Sequence, residues 1–400
     1  MTIVLIASAL ILGLILLNRR TLASKTWRAV VTPLASIIGS GFLVSGPVLA
    51  ATMGDYAWVG MVLLCLVGYY FGMAVRANIK NIEPIRTSSK NREVAIIEQL
   101  SEFSLGFAYF ISVSYYLNLF AAFGLRIFGL SDQTSIRIAA SVAIAVIGFV
   151  GFLGGLDGLE KMTIFAVGLK LSLIGAVLIG LISFTFPKVV SGSFALAGVT
   201  HATGWNELFI LLGLIVMVQG FETSRYLGES YPADLRIKTM RYSQIISSGI
   251  YLLFILLITQ FFPANPMANG SETAIVDWLG QLGPAIAPMI IVMALASQFS
   301  AAVADTSGAG GLVSETLRGK ISPRVGSLIT AIFALTLTWS ADLYQIITYA
   351  SKAFVIYYSL QALQASLYAF RSHKTLAGMF YGLGVILGLF VVIFATPAAA

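Results

Sequence analysis

The chain alternates long apolar runs with short polar connections. Runs long enough to span a bilayer as helices fall at roughly 2–18, 30–52, 57–75, 103–125, 137–156, 162–186, 206–227, 243–262, 284–306, 325–340, 342–370 and 376–395. The pattern predicts an all-α polytopic membrane protein of about 12 transmembrane helices. Two runs are interrupted. Val31–Pro47 is apolar, yet Gly39, Gly41 and Gly46 cut into it together with Pro33 and Pro47. The 206–227 run has an apolar first half, then the polar cluster Gln219-Gly220-Phe221-Glu222-Thr223-Ser224-Arg225. A membrane helix gives up backbone hydrogen bonds only beside protein or a wet cavity that replaces them. Both runs are therefore expected to be discontinuous helices. Close helix packing is the other use of such glycines.

Charge orients the runs. Of the 24 Lys and Arg residues, 19 fall in alternate connections: before the 30–52 run, at 76–92, at Lys161, at 225–241, at 318–324 and at Arg371 and Lys374. Arg126, Arg137 and Lys188 lie on the opposite side, and Lys170 and Lys352 lie within runs. The positive-inside rule makes the 19-charge side cytoplasmic. The 30–52 run then starts inside, the 206–227 run starts outside, and both termini are outside. Arg19-Arg20 follows the first run rather than preceding it, so that run reads as a retained helix and not a cleaved signal.

Composition narrows the function. The 400 residues are 58% hydrophobic and 10% charged with a net charge of +7, and the mean hydropathy is +0.91. One cysteine and two distant histidines point away from metal and haem chemistry, and no cofactor is expected. The positive charge belongs to the loops and calls for no nucleic acid partner. No Ser-His-Asp, paired-carboxylate or metal-ligand grouping suggests an enzyme.

Two interrupted helices, five spans apart and oppositely oriented, are the sequence pointer to an inverted-repeat transporter. The expected organisation is an extra helix at 1–20, five-helix repeats at 28–186 and 204–370, and a further helix at 376–395.

The motifs resemble a known family. Ile38-Gly39-Ser40-Gly41-Phe42 with Gly46-Pro47 is similar to the first-helix signature of the amino acid–polyamine–organocation superfamily of permeases. Residues 96–120, with Glu98, Gly106-Phe107 and Tyr115-Tyr116, resemble the start of its third helix. Lys161–Gly180, with Lys170, resembles its fifth. Gly220-Phe221-Glu222-Thr223-Ser224, then Gly228-Glu229 and Pro232, resemble its sixth and the following loop. The likeness covers about residues 28–370. It departs in the extra first helix, in one final helix where two are common, and in Leu317-Arg318-Gly319-Lys320, a loose echo of the basic signature after the eighth helix.

The resemblance implies a five-plus-five fold and alternating-access transport of an amino acid or related amine. It places Ser40 and Gly41, with Ile38 and Gly39 beside them, at the substrate carboxylate. The carbonyls of Gln219, Gly220, Phe221 and Glu222 would face the amine. Exposed N–H groups at a half-helix end suit an anion and exposed C=O groups a cation. Tyr115 is expected to face the pathway. Lys170 is an intramembrane lysine, a functional hypothesis by default. In sodium-independent relatives a lysine there stands in for a cation and carries a proton, a role the resemblance gives Lys170. Bonding to backbone carbonyls of the 30–52 run is its structural alternative. Asp305 is expected to pair with Lys170 or to cap a helix end. Thr306 and Ser307 resemble a cation site of sodium-coupled relatives. Glu222 has three readings: capping freed N–H groups, pairing with Arg225, or meeting a cationic substrate. Lys352 is expected to be buried near Asp342 or Glu222.

The expected partners are a small-molecule substrate, a proton or sodium ion, and the lipid of a bacterial inner membrane. A sodium-coupled or inorganic-cation porter, and a ligand sensor or scaffold derived from a permease, are the alternatives.

Overall fold

A computed structural model of the chain describes residues 1–39, 41–86, 92–154, 157–199, 204–264, 266 and 272–398, with the side chains of 86, 154 and 157–164 outside that description. Ser40, His201 and the Asn269-Gly270-Ser271 triplet lie outside the described residues.

The elements are α1 (Thr2–Leu16), α2 (Arg19–Ala23), α3 (Lys25–Ile37), α4 (Phe42–Met53), α5 (Ala57–Asn81), α6 (Glu83–Arg86), α7 (Arg92–Leu125), α8 (Gln133–Gly154), α9 (Asp157–Val190), α10 (Trp205–Leu212), α11 (Ala233–Ile258), α12 (Ile275–Trp278), α13 (Ile286–Thr316), α14 (Pro323–Ser340), α15 (Leu343–Arg371) and α16 (Thr375–Phe394). Among the described residues the regular structure is all helical, and seven segments are long and apolar enough to cross a membrane. The chain is an all-α, multi-pass membrane protein.

Local chemistry sets the boundaries. Ser24 caps α3 by accepting from Trp27 N at 3.3 Å, and the short 325–340 run gains its start from the Ser322 cap and Pro323 behind it. Pro lacks the N–H that a first turn leaves unused. Asp342 and Gln345 form a capping box at α15. Residues 93–102 form the first part of α7 itself.

The interrupted runs are broken as expected. The first stops at Ile37 and restarts at Phe42. The second is α-helical only to Leu212, then continues as 3₁₀ turns at Ile215–Val218 and Phe221–Leu227.

Helix packings come in matched sets. α7 packs on α13, α8 on α14 and α5 on α11. α7 also packs on α15 while α13 packs on α9, and α5 packs on α15 while α11 packs on α9. Outside this arrangement α1 lies along α9. Side chains of Leu5, Leu12 and Leu17 sit over Gly180, Gly175 and Gly168, where a Cβ would stand within 2.5, 2.5 and 2.3 Å of them. Small residues let helices approach this closely.

Candidate functional site

The two breaks meet backbone to backbone. A methyl group at Gly41 would lie 2.6 Å from Met217 Cα. Gly220 has φ +114°, a left-handed conformation that favours glycine. A methyl there would lie 2.7 Å from the Ile37 nitrogen. Glycine is required at both positions, because any side chain would push the broken segments apart.

Surrounding helices satisfy the backbone groups the breaks release. Lys170 Nζ of α9 donates to Ala35 O at 2.6 Å and lies 3.5 Å from Ser300 Oγ. The Tyr251 hydroxyl of α11 lies between Ile37 O at 3.1 Å and Met217 O at 2.7 Å, donating to these carbonyls. Ser297 of α13 donates to Gly39 O. In the second break, Ser351 of α15 accepts from Val216 N at 2.9 Å and donates to Gly213 O at 2.7 Å. Glu222 accepts from Gly220 N at 2.9 Å and from the Tyr358 hydroxyl of α15 at 2.8 Å. Unsatisfied buried amides are costly in the hydrocarbon region. Each of these side chains keeps a break stable.

A second polar chain joins α7, α13 and the second break. Asp305 accepts from Ser112 and is hydrogen-bonded to Tyr116. The Tyr116 hydroxyl accepts from Gln219 Nε2 at 2.9 Å. Tyr115 is buried with its ring 5.3 Å from that of Tyr116. Phe221 stacks on Tyr358 at 4.8 Å and belongs to an aromatic layer with Phe71 and Phe354. Ile38 is buried, and its N–H turns back to the last turn of α3.

Several expectations need correction. Lys170 and Asp305 form no ion pair. Asp305 lies five residues beyond Ser300, about 140° further around the helix, and faces α7 instead. Asp305 also sits mid-helix and caps no helix end. Thr306 is nine residues beyond Ser297, about 180° around α13, so it points away from the first break. Its hydroxyl bonds Ala302 O of its own helix at 2.7 Å. The hydroxyls of α13 that face the break are Ser297 and Ser300, and the Lys170 ammonium stands among them. Arg225 does not pair with Glu222. It reaches Glu98 of α7 at 2.6 and 2.8 Å. Lys352 is half-buried, and Asp342 is occupied in its cap.

Tyr251, Ser297, Ser300, Ser351 and Tyr358 were not singled out by the sequence pattern. A signal existed for three of them. Ser243, Ser247 and Tyr251 recur every four residues along α11, and Ser297, Ser300 and Ala304 recur at helical spacing along α13.

A cavity of about 440 Å³ runs from Leu22, Arg28 and Thr32 to Lys170, with Leu16 of α1 and Ala304 of α13 in its wall. Among the described residues no His, Cys, Asp and Glu grouping has the form of a metal site.

The comparisons with known proteins agree with this architecture. A family model described as "APC superfamily transporter" matches residues 19–395. An uncharacterized protein of Aquifex aeolicus (strain VF5) is 39% identical over 374 residues, spanning 92% of this chain and 91% of its own. The chain belongs to the APC superfamily of transporters.

Proposed function

We propose that this transporter moves an amino acid or a related amine by alternating access, with the substrate held where the two breaks meet. The observation that carries this reading is the backbone contact of Gly41 with Met217 and of Gly220 with Ile37. Broken half-helices at mid-membrane present N–H and C=O groups to opposite ends of a zwitterion. The matched packings support two five-helix repeats of inverted orientation, since exchanging each core element for the one five places on carries the pattern onto itself. Ser40 and Gly41 bind the carboxylate, and the carbonyls near Gln219 the amine.

Lys170 couples transport to protons. Its ammonium bridges α9 to the first break through Ala35 O, and it is 1% exposed with no carboxylate bonded to it among the described residues. Losing the proton weakens that bridge and frees α3 to move against α9. The cavity from Arg28 to Lys170 supplies the proton's route from the basic side. A sodium-coupled mechanism fits less well, because the lysine ammonium stands where the α13 hydroxyls face the first break.

The test is uptake of labelled amino acids and amines by proteoliposomes with and without an imposed pH gradient. Flux that rises with an inward proton gradient supports the reading. No flux of any probe under either condition overturns it.

A further inference from the structure

We infer that the cavity beside α1 holds an anionic phospholipid, its phosphate on Arg28 at the mouth and one acyl chain inside. It is a site for a resident of the bilayer and not for the transported compound.

The cavity wall is amphipathic. Along α3, Trp27, Val31 and Ala35 line it in one row, and Arg28, Thr32 and Ser36 line it in the next. Residues four apart share a helix face, so an apolar stripe and a polar stripe run side by side inward from the mouth. Leu16 of α1, Leu22 of α2, and Val167 and Leu171 of α9 add apolar surface. Thr223 of the second break, Tyr231 of the loop after it and Ser300 of α13 add polar groups. An occupant that satisfies both sides has an apolar body and a polar end. The volume of about 440 Å³ is within the roughly 300–1,000 Å³ of small-molecule sites. It takes one acyl chain and leaves the second in the bilayer. The polar stripe stays open to water beside the chain.

Charge fixes the sign of the polar end. Among the described residues the lining has Arg28 and Lys170 and no Asp or Glu. Lys170 is bonded to Ala35 O at the inner end. Arg28 is exposed at the mouth and forms no ion pair among the described residues. Arg19, Arg20 and Lys25 are exposed on the adjoining turns, and the first acid of the chain is Asp55. Trp27 stands next to Arg28, and Trp with basic residues marks a membrane–water interface. Leu10 and Leu14 of α1 are 63% and 75% exposed, so only this helix separates the cavity from lipid. Basic pockets between membrane helices suit anionic headgroups. A free phosphate would satisfy Arg28 but leave the apolar stripe wet, and burying that stripe is what an acyl chain adds.

The test is native mass spectrometry of the full-length protein from detergent. Phosphatidylglycerol and phosphatidylcholine with the same acyl chains are added at equal concentration. Wild-type protein is expected to retain phosphatidylglycerol about tenfold more strongly. Arg28→Gln, a change at an exposed side chain, is expected to weaken phosphatidylglycerol about fivefold and leave phosphatidylcholine unchanged. Ala304→Leu puts bulk into the cavity from α13 without altering its charge, and a similar loss is expected. Equal retention of the two lipids by the wild type overturns the inference, whether or not the variants fold. A folded Arg28→Gln or Ala304→Leu protein that keeps the full preference overturns it too, because the lipid then sits elsewhere. Displacement of phosphatidylglycerol by an equal concentration of glycerol phosphate also overturns it, because the site then reads the headgroup alone.

Discussion

Two glycines set the geometry of the site. Gly220 is held at φ +114° against Ser36 and Ile37, and Gly41 lies against Met217. Gly220→Ala places a side chain in a left-handed conformation, a cost of about 1–3 kcal/mol before any clash. Thermal unfolding in detergent should show both Gly220→Ala and Gly41→Ala less stable than wild type, whereas Gly249→Ala, with open space around it, should be near neutral. These glycines were legible in the sequence because they interrupt apolar runs where few residues do. The hydroxyls of α13 were not. Thr306 was named for its likeness to a cation site and Ser297 was not, although it is Ser297 that faces the break and Thr306 that lies on the opposite side of the helix. Asp305 suffered the same ambiguity. It was visible as an oddity within the run, but its partners Ser112 and Tyr116 depend on how α7 and α13 are turned.

Each break is held by its neighbours. Lys170 of α9, Tyr251 of α11, Ser297 of α13 and Ser351 of α15 supply the hydrogen bonds that α3, α4 and the 3₁₀ turns cannot make internally. On the basic side, Arg225 joins the Phe221–Leu227 turn to Glu98 of α7 and Gln361 of α15. Gln364 also donates to Glu98 at 3.0 Å. Arg225 and Glu98 are both buried. Removing one member leaves an uncompensated charge, which costs about 3–5 kcal/mol, while replacing both with apolar residues is far less damaging. Glu98→Gln should therefore lower the unfolding temperature markedly, and the double variant Glu98→Leu, Arg225→Met should recover much of the loss. Equal instability of the two proteins would contradict a paired role. The long apolar helices followed from apolar length. The Glu98–Arg225 pairing did not, because the two residues lie 127 positions apart and Arg225 had a nearer acid in Glu222.

At the scale of the whole molecule, the proposed inverted arrangement draws on the matched packings and on the uneven distribution of basic residues. The orientation is directly testable because Cys65 is the sole cysteine and is buried. With Cys65 replaced by Ser, an impermeant maleimide added to intact cells should label Ser131→Cys and not Lys320→Cys. Opening the membrane should expose the second, and the reverse pattern would contradict the assigned sides. The added helix α1 completes the wall of the Lys170 cavity through Leu16, a role no motif announced. The central claim is that the meeting of two broken helices is a substrate site whose occupancy is driven through Lys170. Its most direct test is Lys170→Ala in proteoliposomes preloaded with unlabelled substrate or placed under a pH gradient. The account predicts that exchange of labelled for unlabelled substrate continues while accumulation driven by the pH gradient is lost. Accumulation that persists at the wild-type rate under the same gradient would contradict it.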